Sequence, residues 1–117
     1  MDREEFIKYG LTKKGTKEDF QVEWNATRLL IEGKMFAMIG GDKNETPIFT
    51  LKCEPLMAEM YRKQYKDVIS GYYMNKTHWN SIYINGDVPD NVLKDMIDMS
   101  YNLVFGALPK KIKEKYL

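Results

Sequence analysis

The chain has 117 residues, of which 18 are basic and 17 acidic, so its net charge at pH 7 is +1. This length is enough to bury a single core, and residues 1–117 are predicted to form one domain. The near-neutral charge excludes the global basic field of a strong nucleic-acid-binding protein, and a single cysteine excludes an internal disulfide.

The first third of the chain shows helical and then strand periodicity. Residues 3–11 place apolar side chains at helical spacing, which predicts a short amphipathic helix. The stretch FQVEW (20–24) alternates strictly, which predicts a strand that buries Phe20, Val22 and Trp24 on one face. Two apolar runs then flank EGK within residues 27–41, and this pattern is typical of a β-hairpin.

The middle of the chain combines a strand, a helix and a broken strand. Residues 48–52 alternate again, and Pro55 suits the first turn of a helix. We predict that this helix buries an apolar stripe, consisting of Leu56, Met57, Met60 and Tyr61, and that its opposite side carries Glu59, Arg62, Lys63 and Lys66. A strand pattern over residues 68–74 is weakened at Gly71.

The last third ends in the longest predicted helix. Residues 79–84 form a strand pattern, and Asn85-Gly86 is a strong turn signal. Pro89-Asp90 opens a helix that runs to about Phe105, with a wide apolar stripe suited to covering a sheet. A short basic helix follows Pro109. The order of elements predicts a two-layer α+β fold on a mainly antiparallel sheet.

The residues that catalysis and metal binding require are scarce. Cys53 is the only thiol and His78 the only imidazole, and the strand ending at Cys53 looks like core. Carboxylates are scattered, and no lysine-bearing phosphate loop follows Gly40-Gly41. We therefore predict a protein that is not an enzyme and has neither a metal nor a cofactor.

Basic and aromatic residues come together in one stretch, GYYMNKTHWNSIYING. Asn75, Lys76, His78 and Trp79 follow two tyrosines, and the predicted helix before them is basic. Lysines neutralise phosphates, and polar side chains such as Asn and His reach base edges or phosphates. The competing interpretation is structural, with Trp79 buried at the start of its strand and His78 bonded within a loop.

Several short motifs, in order along nearly the whole chain, resemble the MmcQ/YjbR family of small bacterial proteins. They are Trp24, FAMI at the end of the hairpin, FTLK with Lys52, NKTHW (75–79), YINGDVPD (83–90), SY at Ser100-Tyr101, and LPKK (108–111). NKTHW, followed at fixed spacing by Gly86 and Pro89, is the most specific. The resemblance marks Trp24, Trp79, Gly86 and Pro89 as structural residues of the family.

The resemblance implies a fold similar to that of frataxin and CyaY. That fold has an opening helix, a curved antiparallel sheet of four or five strands, an inserted helix, and helices packed on one face. It also implies DNA binding through a double-wing arrangement. A frataxin-like role in iron binding would follow from fold kinship alone, which does not carry function.

Two functional hypotheses follow. The first is a cytoplasmic, non-enzymatic DNA-binding protein. We expect no membrane partner and a cytoplasmic location because the polar N-terminus MDREEFIKYG lacks the apolar run of a secretion signal or a membrane anchor. It would contact double-stranded DNA through six residues: Arg62, Lys63, Lys66, Asn75, Lys76 and His78. The second is an adaptor that binds a protein or a small ligand on the sheet face with Tyr72 and Tyr73.

Overall fold

Six antiparallel strands form one open sheet in the order β1-β2-β3-β4-β6-β5. A computed structural model describes residues 1–72 and 74–117. The strands are β1 (Thr16–Gln21), β2 (Ala26–Ile31), β3 (Lys34–Gly41), β4 (Pro47–Lys52), β5 (Val68–Ser70) and β6 (Trp79–Tyr83). The first four form a meander, and β6 inserts between β4 and β5.

Within the described residues, four helices complete the fold: α1 (Arg3–Leu11), α2 (Pro55–Gln64), α3 (Asp90–Gly106) and α4 (Lys110–Lys113). α1 and α3 pack on one face of the sheet, whereas α2 packs beside the edge strand β5. Short 3-10 turns lie at Val22–Trp24 and Glu114–Tyr116. The predicted two-layer α+β fold with an antiparallel sheet is confirmed, but the sheet has six strands rather than four or five. No helix among residues 1–72 and 74–117 is long and apolar enough to cross a bilayer.

The core lies between the sheet and the two helices that cover it. Phe6 of α1 stacks on Phe49 of β4, with ring centroids 3.8 Å apart and an interplanar angle of 11°. The stripe predicted for α3 is buried at Leu93, Met96 and Ile97, as its helical spacing requires. These contacts fix both helices against the middle of the sheet.

A β-bulge in β3 is closed by a serine from α3. Leu29 pairs with Ala37 and Leu30 with Met35, so Phe36 is the extra residue of β3. The fully buried Ser100 Oγ donates to the Phe36 carbonyl (2.5 Å) and accepts from the Lys52 backbone N–H (2.9 Å). Ser100 thereby ties α3 to β3 and β4.

The turn before α3 explains two of the residues that the family motif singles out. A Cβ atom on Gly86 would overlap the Asp67 carboxylate, which accepts from the Asp87 backbone N–H (2.9 Å). Pro89 is the N-cap of α3 and has extended backbone angles, so Asp90 lies in the first turn as predicted. Gly86 thus permits a close approach between the β5–β6 hairpin and the start of α3.

The prediction of a strand with one buried face at residues 20–24 is wrong. β1 begins at Thr16 and ends at Gln21, after which the chain enters a 3-10 turn and Asn25 takes a left-handed conformation (φ 49°). Phe20 is 55% and Trp24 51% exposed. β1 is an edge strand, and Phe20 pairs with Thr27, close to where α1 begins, so the helical layer ends at this corner.

The apolar stripe predicted for α2 is also partly wrong. Ala58 and Tyr61 are buried, whereas Leu56 is 82% exposed and Met60 is also exposed. α2 faces the sheet through Ala58, whose carbonyl accepts from Asn80 Nδ2 (3.2 Å). Because β5 has three residues, it offers too little surface to cover a wider stripe.

Candidate nucleic-acid interface

The segment that connects β5 to β6 ends in a turn held by Asn75. Asn75 Oδ1 accepts from the backbone N–H groups of Thr77 (2.9 Å) and His78 (3.3 Å), and the His78 carbonyl accepts from the Cys53 N–H (2.8 Å). This is the local side-chain bonding typical of Asn in turns. It leaves the side chains of Lys76, Thr77 and His78 exposed on an ordered loop.

Trp79 begins β6, as predicted, and is half-buried rather than fully buried. Its carbonyl accepts from the Gly71 N–H (2.7 Å), and a Cβ atom on Gly71 would lie 2.8 Å from that of Trp79. Lys76 Nζ lies 3.3 Å from the Gly71 carbonyl. The NKTHW motif is thus the corner at which the chain enters the sheet, and it also presents exposed polar groups.

The basic residues predicted on α2 occupy a different place. Arg62 is half-buried and donates to Asn80 Oδ1 (2.5 Å), so its charge is used within the fold. Lys63 and Lys66 are exposed. However, α2 begins beside Cys53 and ends beside β5, so these lysines lie towards the opposite end of the sheet from Lys76. The structure does not bring the six predicted residues together.

The turns at the two ends of the sheet carry opposite charges. β1, β3 and β6 begin at one end, where β2 and β4 finish. We call it the basic end; its lysines are Lys14, Lys17, Lys34, Lys52, Lys76 and Lys115. We call the other the acidic end; its carboxylates are Glu23, Asp42, Glu45, Asp67, Asp87 and Asp90, and its cations include Arg3, Lys43 and Lys66.

The C-terminal residues bring further charge to the basic end. Tyr116 OH donates to Glu32 Oε1 (2.5 Å), and Lys115 Nζ lies 3.8 Å from the same oxygen. Glu32 stands in the β2–β3 turn, where it and Gly33 both have positive φ, as the predicted tight hairpin requires. The basic tail therefore returns to the β2–β3 turn.

Two loops project from the basic end on either side of β4. The β2–β3 turn carries Lys34, and the β5–β6 turn carries Lys76 and His78. In the strand order, the midpoint between β2 and β3 and the midpoint between β6 and β5 are three strand spacings apart, which is about 14 Å. This spacing is comparable to the ~12 Å width of the major groove of B-DNA.

The open face of the sheet, which α1 and α3 do not cover, is partly shielded by Tyr72. The Tyr72 N–H donates to Ser81 Oγ (3.1 Å), and its hydroxyl accepts from the Lys43 N–H (3.0 Å). Tyr72 is half-buried, so it forms part of the fold. The other tyrosine of the adaptor hypothesis, Tyr73, lies outside the described residues.

A groove that the sequence analysis missed opens at the acidic end. It has a volume of about 850 Å³, and its lining includes Phe20, Trp24, Met38, Gly40 and Met74. The alternation of Phe20, Val22 and Trp24 was the available signal, but it was interpreted as core. A volume of this size is in the range of small-molecule sites.

Asp42 organises the β3–β4 loop beside this groove. Partial desolvation acts to raise its pKa, but the backbone N–H groups of Asn44 and Thr46 and the Tyr83 hydroxyl outweigh it, so the pKa is lowered. Asp42 Oδ1 accepts from both N–H groups, at 2.8 and 3.0 Å. The carboxylate is therefore built into the loop as an anion.

Cys53 and His78 are neighbours through their backbones but do not form a catalytic pair. The Cys53 thiol is buried and lies 3.5 Å from Met99 Sδ, whereas the His78 side chain is exposed. Burial raises the pKa of the Cys53 thiol to about 11, so the nucleophilic thiolate is disfavoured at neutral pH. Among the residues described, no three His, Cys, Asp or Glu side chains form a group able to hold a metal ion.

The fold places this chain among small α+β proteins that have an open six-stranded antiparallel sheet, with two loops at its basic end. The model of the YjbR family matches residues 11–103, and the chain belongs to this family. It is 33% identical to the Escherichia coli K12 protein YjbR, over 100% of this chain and 98% of that protein. The Bacillus subtilis protein YyaQ is 28% identical, over 88% of this chain and 98% of that protein.

Solved structures share the fold. The Deinococcus radiodurans protein DR2400 superposes with a TM-score of 0.86 at 21% identity, covering 97% of this chain and 86% of that chain. A Pseudomonas syringae protein has a TM-score of 0.77 at 25% identity, covering 88% of this chain and 98% of that chain. The predicted membership of the MmcQ/YjbR family is confirmed, and the match extends over nearly the whole chain.

Proposed function

We propose that this protein binds double-stranded DNA without catalysis, by contacting backbone phosphates with the two loops of its basic end. The observation that carries the proposal is the position of Lys34 and Lys76 on two turns about 14 Å apart, on either side of β4. Lysines at this separation can neutralise phosphates that flank one groove.

The structure supports different roles for the predicted residues. Lys76 and His78 are the exposed contacts, and Asn75 holds the turn that presents them. Arg62 is engaged with Asn80, and we expect it to act through the fold rather than on DNA. Lys63 and Lys66 lie towards the acidic end, so their contribution should be smaller.

Lysines at the start of β1, just before it and in the C-terminal tail extend the same surface. Lys14, Lys17 and Lys115 are exposed at the basic end, and Glu32 neutralises part of the charge there. The segregation of charge removes the difficulty posed by a net charge of +1, because a phosphate backbone meets the local field rather than the total. A cytoplasmic location suits this function and the single, buried cysteine.

The test is fluorescence anisotropy with a labelled 20-base-pair duplex of random sequence at 50 and 200 mM salt. About four phosphate contacts predict a loss of affinity of roughly 150-fold between the two salt concentrations. Lys34→Glu and Lys76→Glu should each make the logarithmic salt slope less steep by about one. Lys43→Glu, at an exposed lysine of the acidic end, is the matched control and should leave the slope unchanged.

Three results would contradict the proposal. The absence of binding at 50 mM salt would exclude phosphate contact as the function. Equal effects of Lys43→Glu and Lys76→Glu would show that DNA is not bound at the basic end in particular. A strong effect confined to Lys66→Glu would instead assign the contact to the turn between α2 and β5.

A further inference from the structure

We propose that the groove at the acidic end is a binding site for a small organic cation with an aromatic or aliphatic body. This site is separate from the DNA surface, because the lysines of that surface lie at the opposite end of the strands. Its shape, its exposed aromatic side chains and its carboxylates together indicate this chemistry.

The floor of the groove includes two very small residues. Ala26 and Gly40 lie next to each other on the open face of the sheet, and Ile48 follows in the same row on β4. A Cβ atom on Gly40 would lie 3.3 Å from the Ala26 Cβ, so the floor is already closely packed at backbone level. Met38 and Met74 provide adaptable apolar walls.

Trp24 is held in place rather than left loose at the surface. Arg28 donates to both oxygens of Asp19, at 2.8 and 2.6 Å, and its Cζ lies 5.7 Å from the centroid of the Trp24 ring. This contact orients an indole that is still half exposed and lines the groove. Phe20, which pairs with Thr27 on the helix-covered side of the sheet edge, adds a second exposed ring at the rim of the groove. An ordered, exposed aromatic surface is what an apolar ligand body requires.

The charged residues of the lining favour a cation. Glu23, Asp42 and Glu45 line the groove, and Arg3 is the one basic residue among its described lining residues. The Arg3 guanidinium donates to Thr27 Oγ1 (2.7 Å), which holds it on the helix-covered side of the sheet edge, away from the open face that carries Ala26 and Gly40. The carboxylates thus outnumber the cation, and an aromatic face adds attraction for positive charge. An anion of the same shape would be repelled.

The test uses phenethylammonium as the probe, with 2-phenylethanol and 3-phenylpropanoate as neutral and anionic analogues of similar size. Binding is followed by the amide and indole signals in ¹⁵N-correlated NMR spectra, in which Trp79 serves as an internal reference outside the groove. We expect saturable shifts at Gly40, Gly41 and the Trp24 indole, with a Kd on the order of 1 mM for a ligand this small. Affinity for 3-phenylpropanoate should be lower by about tenfold or more.

Substitutions separate charge recognition from apolar contact. The double variant Glu23→Gln/Glu45→Gln should abolish the preference for the cation, whereas Glu59→Gln on α2 should keep it. Trp24→Ser should reduce affinity for the cation and for the neutral analogue alike, and Leu56→Ser, at another exposed apolar residue, should change neither. These variants lie on exposed side chains, so folding should be retained.

The proposal fails if phenethylammonium gives no saturable shift in this region, or if its shifts centre on other residues. It also fails if the anion binds as well as the cation. Neither result would bear on DNA binding, which is measured with a different probe at the other end of the sheet.

Discussion

Replacing Ser100 with alanine should destabilise the fold far more than replacing the strand residue Ser70. Ser100 is fully buried, and its Oγ bonds two backbone groups, the Phe36 carbonyl and the Lys52 N–H. The Phe36 carbonyl belongs to the extra residue of the bulge. Alanine removes the oxygen and leaves a buried acceptor and a buried donor without a partner.

The size of the effect follows from these two groups. Each unsatisfied buried backbone group costs about 1–3 kcal/mol, so Ser100→Ala should lose roughly 2–4 kcal/mol of unfolding free energy. That is a large share of the roughly 5–15 kcal/mol that stabilises a domain. For a chain of this length the melting temperature should fall by about 4 °C per kcal/mol, or roughly 8–16 °C.

The assay is urea unfolding followed by circular dichroism, with Ser70→Ala as the control. Ser70 is a half-buried residue of the short edge strand β5, and its substitution should cost less than about 0.5 kcal/mol. Hydrogen exchange should show faster exchange of the Lys52 amide in Ser100→Ala. A loss no larger than that of Ser70→Ala would refute the role of Ser100 as the closure of the bulge.

Three further predictions concern stability and reactivity. Gly86→Ala should destabilise by about 1–3 kcal/mol in thermal unfolding, because its Cβ would overlap the Asp67 carboxylate and lie 2.8 Å from the Asp67 Cβ; the loss should be much smaller in an Asp67→Gly background, which removes both obstacles. The hydrogen bond from Arg28 lowers the pKa of Asp19, so the pair stabilises the folded protein above the unfolded-state pKa of Asp19, and this contribution is lost as the pH falls through the folded-state pKa. Between pH 7 and pH 3 the Asp19→Asn variant should therefore lose less unfolding free energy than the wild-type protein. An equal loss in the two proteins would contradict this. Iodoacetamide should label Cys53 slowly at pH 7 and rapidly in urea; rapid labelling of the folded protein would show that the thiol is not protected.

The elements that the sequence predicts well are those in which neighbouring elements bury the face that the local apolar pattern marks. α3 lies across the middle of the sheet, so its helical stripe is buried at Leu93, Met96 and Ile97. The hairpin turn at Glu32-Gly33 requires positive φ in its own backbone, whatever surrounds it. The bulge at Phe36, by contrast, depends on pairing between strands, and no residue in that stretch indicates it.

Alternation fails as evidence for burial at Phe20 because this residue stands where the helical layer ends, and it fails at Trp24 because the chain has left β1 for a 3-10 turn. An edge strand can place every second side chain on one side with nothing above it. Exposed Leu56 and Met60 on α2 show the same limit for a helical stripe. The pattern determines which side chains share a face, whereas the neighbouring elements determine whether that face is covered.

The charge distribution was present in the sequence as alternating blocks, and the topology of the sheet explains their arrangement. In an antiparallel meander successive turns lie at opposite ends of the sheet. Turns that alternate in charge along the chain are therefore gathered with basic turns at one end and acidic turns at the other. TKKG, EGK, NKTHW and KKIKEK come to the basic end, whereas DKNET and NGDVPD come to the acidic end. α1 and α3 start at the acidic end, with Asp2 as the N-cap of one and Asp90 in the first turn of the other. Their dipoles favour this placement of acids. The segregation thus stabilises the helices and gives one small domain two surfaces of opposite charge, which suit a phosphate backbone at one end and a cation at the other.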